Sequence, residues 1–326
     1  MHPRYVCPIN TVRIHETREN LWVLPKDGLL GALAVAAAAS IWGTLGFFAK
    51  ILYAEGVSFE ALVATRACGG FAVMLGFMAL TGRVGRLRVG SRDLAFLVPL
   101  GMVSIGAFYL LFFYTVQEIA IGTATILLYS SPAFVVILAR IFLREALNPE
   151  RLAALLLTAA GIFLVVGAYD LGALEVRSLF ILTGLGAGLS YGLYSVVGKP
   201  LTGRLPAEVI ITYILGVGAV VLTLAALPTL HTLGGLSVGT YALLATTAVV
   251  HTTGAYAFYT FGLRRLEAGQ AAIIATMEVV VAMVVGRVLL AEDLTAPKVF
   301  GALLVLAGAA LAQRGTGGKE PGPPPQ

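Results

Sequence analysis

Ten apolar runs, each bounded by a turn or a charge, leave this chain few ways to fold. They cover approximately 29–53, 59–80, 94–116, 120–142 and 151–168, then 178–198, 206–227, 237–261, 268–290 and 296–312. A helix needs about 20 residues to cross the hydrocarbon of a bilayer, and most of these runs reach that length. They are too long for the strands of a membrane barrel and lack the alternation such strands carry. Only 12% of the residues are charged and 58% are hydrophobic, against about 25% charged in soluble domains. A soluble fold would have too little polar surface to cover itself.

The basic residues orient the runs. "TGRVGRLRVGSRD" at 81–93 carries Arg83, Arg86, Arg88 and Arg92; later even-numbered connections carry Arg144 and Arg151, Lys199 and Arg204, and Arg264 and Arg265. Odd-numbered connections are nearly bare: none in 54–59 or 228–236, one Arg177, one Lys298. The bias of Lys and Arg toward the cytoplasm predicts that both termini lie there, in the cytoplasmic membrane of the cell. The net charge of +5 is thus loop charge, and no nucleic-acid partner is expected. Cys7 and Cys68 form no metal or redox spacing, and Cys68 inside an apolar run argues against a structural disulfide. Residues 1–27 read as a polar cytoplasmic segment without a secretory signal, 169–177 as an external linker, and 314–326, ending "GTGGKEPGPPPQ", as a disordered cytoplasmic tail.

The chain is also duplicated. Shifted by 147 residues, "GTATILLYSSPAFVVILARIFLREALNPERLAALLLTAAG" overlies "GQAAIIATMEVVVAMVVGRVLLAEDLTAPKVFGALLVLAG". Gly122 then meets Gly269, Arg140 meets Arg287, Glu145 meets Glu292, Gly161 meets Gly308 and Tyr109 meets Tyr256, while an offset of 149 brings Gly43 and Lys50 onto Gly192 and Lys199. Each unit, 28–168 and 178–313, holds five runs. An odd number forces the second unit to enter the membrane from the opposite side. Inverted halves can exchange conformations and open a shared centre to alternate sides, an arrangement that an anchor or a receptor has no need of.

Several stretches resemble the drug/metabolite transporter superfamily in its EamA branch. "SSPAFVVILARIFLREALNPERLAALLLTAAGIFLV" is similar to that branch's proline-centred helix leading to a glutamate and at once to the next helix. "IWGTLGFFAK" and "LVATRACGGF" resemble its first two helices. "ATMEVVVAMVVGRVLLAEDLT" resembles the variant in which a glutamate precedes the central proline, with Val279 at the proline's place. The resemblance implies an all-α protein of ten transmembrane helices in two inverted five-helix repeats. It further implies a secondary transporter of a small polar metabolite, an amino acid or related solute with export favoured, and no cofactor or metal.

Other readings of the sequence fare less well. "TGLGAGLSYGLYSVVGKP" at 183–200 contains the outline of a nucleophile elbow and of a dinucleotide loop. Both need a preceding strand, and none is offered. Gly184, Gly188 and Gly192 instead fall four apart on one helical face, where two membrane helices can approach closely. No Walker A pattern is present, which argues against direct use of ATP. An intramembrane enzyme would need a serine converging with His251, and no paired motif supplies one. A non-transporting sensor and a carrier of hydrophobic, lipid-like or drug-like compounds remain as alternatives. The partners expected are a small solute and membrane lipid, with the chain a monomer or homodimer.

Ionisable groups at membrane depth are costly, so they mark cavities or partners. Arg66 suits a substrate carboxylate or a structural pair with Glu278 or helix-end carbonyls. Glu278 suits a substrate amine, a transferred proton or a fixed ion pair. His251 is a candidate proton relay or a satisfied structural histidine. Lys50 reads as an interfacial anchor. Pro132, after Ser130 and Ser131, is the candidate helix break. Trp42, Tyr109, Tyr191 and Tyr256 are candidate pocket aromatics, together with Phe112, Tyr129, Tyr194 and Tyr259. Glu145 and Glu292 are expected to cap helices or to pair with Arg140 and Arg287.

Overall fold

Each apolar run becomes helix, and hydroxyl or carboxylate caps fix where several helices begin. The computed structural model describes residues 26–118, 121–165, 178–291 and 293–314. The expected linker at 169–177 and nearly all of the terminal segments lie outside the described residues. The first unit comprises α1 (Lys26–Ala54), α2 (Phe59–Leu80), α3 (Ser91–Gly101), α4 (Phe108–Glu118), α5 (Ile121–Leu128), α6 (Ser131–Leu138) and α7 (Pro149–Val165). The second comprises α8 (Ser178–Thr202), α9 (Ala207–Ala226), α10 (Val238–Ala248), α11 (Ala255–Arg265), α12 (Ala268–Ala275), α13 (Met277–Leu290) and α14 (Ala296–Arg314). Ser58 and Ser237 cap α2 and α10, their hydroxyls accepting from the N–H groups of Ala61 and Thr240 at 3.1 Å. All described elements are helical, and among the described residues six continuous helical stretches, two of them running from α3 into α4 and from α12 into α13, are long and apolar enough to cross a membrane.

The duplication is written into the backbone at the offset of 147 read from the sequence. A wide π-helical turn, Met102–Ala107, joins α3 to α4, and its counterpart Val249–Gly254 joins α10 to α11. The helix following α4 breaks at Tyr129–Ser130, and the helix following α11 breaks at Thr276. Arg144 and Ala291, the residues ending α6's π-helical extension and α13, both turn left-handed, at φ 58° and 55°. Packing exchanges in the same way. α1 packs on α11 and α13 while α8 packs on α4 and α6, and α2 meets α10 while α9 meets α3. α2 with α9, and α7 with α14, pair with their own counterparts across the relating axis.

Glycine makes the α7–α14 crossing possible. A Cβ on Gly161 would sit 2.5 Å from the Gly301 carbonyl oxygen, and a Cβ on Gly301 would sit 2.6 Å from that of Gly161. The face of Gly184, Gly188 and Gly192 lies against Leu127, Ser130, Ser131 and Val135 of the α5–α6 rod.

The two breaks arise from different sequence. Pro132 stands in the first turn of α6, where its missing N–H costs nothing. In the second unit Val279 occupies the equivalent place, yet the helix still breaks. Thr276 donates its hydroxyl to the Ile273 carbonyl at 2.5 Å, as Ser130 does to Leu127 at 2.6 Å. A hydroxyl three residues on thus occupies the carbonyl that would otherwise carry the helix forward.

Candidate functional site

Both breaks and, through Ser104, the first wide turn face a narrow pocket within the bundle. Its lining is mostly aromatic and hydroxylated: Trp42, Tyr129, Tyr191, Tyr194, Tyr256 and Tyr259, joined by serines 104, 131 and 195 and by Thr276. The free volume is about 20 Å³, room for about one water. Open small-molecule sites hold roughly 300–1,000 Å³. The rings interlock to close it. Trp42 meets Tyr256 edge-on at 5.4 Å and Tyr259 at 5.6 Å, and Tyr194 meets Tyr256 at 5.4 Å. Tyr191 lies 6.4 Å from Trp42 and 5.3 Å from Phe108. Two hydroxyl pairs fix the rings further, Ser195 with Tyr259 at 2.6 Å and Tyr194 with Thr260 at 2.5 Å.

Tyr129 leads from this pocket to Glu278, whose side chain it reaches for a hydrogen bond. Glu278 is half-buried in the first turn of α13, beside the N-terminal N–H groups that favour an anion there. α1 passes directly over it, since a Cβ on Gly43 would lie 2.7 Å from the Glu278 carbonyl oxygen.

Arg66 on α2 is 4% exposed. Its Nε donates to Thr252 Oγ1 at 3.1 Å, and its guanidinium lies 5.5 Å from the centroid of the half-buried Tyr109 ring. The wide turn prepares that acceptor, because Thr252 and Thr253 donate their own hydroxyls to carbonyls five residues back, Thr247 at 3.0 Å and Ala248 at 3.1 Å. Arg66 and Glu278 do not form an ion pair with each other among the described residues.

His251 sits in the same wide turn, 2% exposed, against the ring of Phe48 at 4.5 Å. Its Nε2 lies 2.9 Å from Thr44 Oγ1. Thr44 already directs its single hydrogen to the Ile41 carbonyl, so it accepts, and the proton belongs on Nε2. The Trp42 indole N–H donates to the His251 carbonyl at 3.1 Å, tying the pocket wall to this turn. Lys50 is exposed near the end of α1.

The expected pairing of Glu145 with Arg140 gives way to a different arrangement. Arg140 is exposed, whereas Glu145 turns inward. It accepts from the N–H groups of Ala268 at 2.7 Å and Gly269 at 3.2 Å and pairs with Arg151 at 3.5 Å. Of the two roles expected for Glu145, capping a helix and pairing with Arg140, it takes the first, on a helix of the other repeat. The left-handed turn at Arg144 instead aims it across to α12. Glu292 lies outside the described residues.

A duplicated bundle of long apolar helices around a closed polar and aromatic centre defines a multi-pass membrane protein. The chain belongs to the EamA-like transporter family, which residues 29–167 and 178–313 both match. An uncharacterized transporter of Archaeoglobus fulgidus is 26% identical over 285 residues, 87% of this chain and 96% of the relative. The uncharacterized transporter YxxF of Bacillus subtilis is 24% identical, over 88% of this chain and 90% of its own length. A probable terminal-alkyne amino-acid exporter of Streptantibioticus cattleyicolor is 28% identical over 73% of this chain and 79% of its own. A crystal structure shares the fold at a TM-score of 0.72 and 20% identity, covering 86% of this chain and 96% of that one.

Proposed function

We propose that the protein is a ten-span secondary transporter of a small zwitterion, an amino acid or close relative. Its termini are cytoplasmic, and inverted halves expose the central pocket to each side in turn. The observation that carries this reading is that Arg66, against Tyr109, and Glu278, against Tyr129 of the pocket wall, form no ion pair with each other. A buried arginine and a half-buried glutamate left apart are costly, and a ligand with a carboxylate at one end and an ammonium at the other would neutralise both. In this reading Arg66 takes the carboxylate. Glu278 takes the ammonium, or the exchanged proton when the pocket is empty, and His251 relays that proton. Trp42, Tyr191 and Tyr256 enclose the body of the solute, with Tyr109 beside the arginine. The Streptantibioticus relative, named as a probable exporter of an amino acid, supports that substrate class and outward movement.

The aromatic lining favours one alternative, a hydrophobic or drug-like cargo stacked between rings. Reconstituted protein in liposomes, given labelled amino acids and aromatic amines with and without a pH gradient, separates the two. Saturable, gradient-driven amino-acid flux is expected. The zwitterion reading fails if Arg66→Ala and Glu278→Gln both leave that flux intact.

A further inference from the structure

α12 is a plug. All eight of its residues, Ala268–Ala275, are buried. Ala272 and Ala275 at its far end line the pocket, while Ala268 and Gly269 at its near end rest on the Glu145 carboxylate. At about 1.5 Å per residue the helix spans on the order of 10 Å, from the pocket wall to the Glu145 carboxylate. Salt bridges and bonds map the face of the bundle at that end: Asp93 pairs with Arg204, Lys199 donates to the carbonyls of Leu263 and Leu266, and Arg151 pairs with Glu267.

The first turn of α12 has its N–H groups engaged from two sources. Glu267 and Gln270, within the second repeat, form a capping box. The N–H groups of Ala268 and Gly269 go to Glu145, which belongs to the first repeat. Gly269 leaves room for this approach, since a Cβ there would stand 3.4 Å from Glu145 Oε2 and 3.3 Å from Val136. Arg151, 4% exposed, holds the other side of the carboxylate and donates to the Ala146 carbonyl at 2.7 Å. The cap and the capping box therefore differ in what they join. The bonds of the capping box move with their helix, although its Glu267 also pairs with Arg151, whereas a cap supplied by the other repeat breaks when the repeats part.

We propose that Glu145 is the latch of the transport cycle: its carboxylate holds α12 shut against the first repeat and releases whenever the pocket opens to this face. The proposal rests on the alternating-access reading, and its test requires no substrate. Water can replace the carboxylate at the two amides once the face opens, so the contact is reversible. The glycine crossing of α7 and α14, which bears no charge, stays closed.

The experiment uses the full-length chain with Cys7 and Cys68 replaced by serine and a single reporter, Ala275→Cys, in the pocket wall. A membrane-impermeant maleimide is applied to vesicles of each orientation, and a parallel protein with its single cysteine from Arg92→Cys marks the latch face. Glu145→Ala and Glu145→Gln should raise reporter labelling from the Arg92 face by about tenfold and lower it from the opposite face. Glu145→Asp should fall between. The exchange Glu145→Arg with Arg151→Glu restores opposite charges without the cap and should not restore slow labelling. A disordered variant would label faster from both faces, so the reciprocal fall distinguishes a released latch from a damaged fold. Unchanged labelling in both Ala and Gln variants would overturn the proposal, as would recovery in the charge exchange or a rise from both faces in the Gln and Asp variants.

Discussion

The rods 91–118 and 238–265 share one backbone and differ in chemistry. Each carries a wide turn at the same register. In the first, that turn presents Ser104, Ile105 and Gly106; in the second it presents His251, Thr252 and Thr253. The helices packed on them differ in step. At the 147-residue offset Glu278 on α13 has Ser131 as its counterpart on α6, and α9 carries no arginine to match Arg66 on α2. Symmetric backbone suits two halves that trade conformations. Asymmetric side chains suit a solute whose two ends are unlike, because a site with matching charges at symmetric positions would hold the solute equally well in two orientations.

Swapping chemistry across the halves is the way to break this comparison, and the largest effect is expected at Glu278. Glu278→Gln should lower transport in liposomes roughly 10- to 100-fold, the scale of a lost charged hydrogen bond, while Ser131→Ala changes it only a few-fold. Equal losses would mean that both halves bind. Arg66→Ala should cost about tenfold in flux, and Arg66→Lys should restore little of it because lysine lacks the Nε–H that Thr252 accepts. Ile214→Val, on the α9 helix that pairs with α2, should leave flux near the wild-type level.

The glycine crossing sharpens the comparison from the other side, since here the halves should behave alike. Gly161→Ala and Gly301→Ala should each lower stability by about 1–3 kcal/mol, read as a fall in unfolding temperature in detergent. A large difference between the two would deny the reciprocity of the contact. The smallest effect is expected for Thr44→Val, which removes the acceptor for His251 Nε2 at a cost of about 1 kcal/mol. That change should appear as a few-fold loss of gradient-driven flux with passive exchange preserved.

Much of this architecture was legible because apolar length and small-residue spacing survive duplication. The apolar runs fall on helical rods, and the offset that aligned Gly161 with Gly308 also aligns wide turns that no residue pattern announced and a second break beside the one that Pro132 signalled. The break at Thr276 had no proline to signal it, only a threonine able to take back a carbonyl. The site was less legible. Arg66, His251 and Glu278 stood out as charges or imidazole in apolar sequence, but nothing local could tell that Arg66 meets Thr252 or that Glu278 meets Tyr129. The role of Glu145 was hidden for the same reason. Its two amide partners are 123 and 124 residues away, and backbone N–H groups leave no trace in the identity of the residues that bear them.

The narrowness of the central pocket carries a consequence for what enters it. Space for about one water holds no solute of several heavy atoms. Whatever enters must first push the Trp42 and tyrosine rings apart, so occupancy and ring movement come as one event.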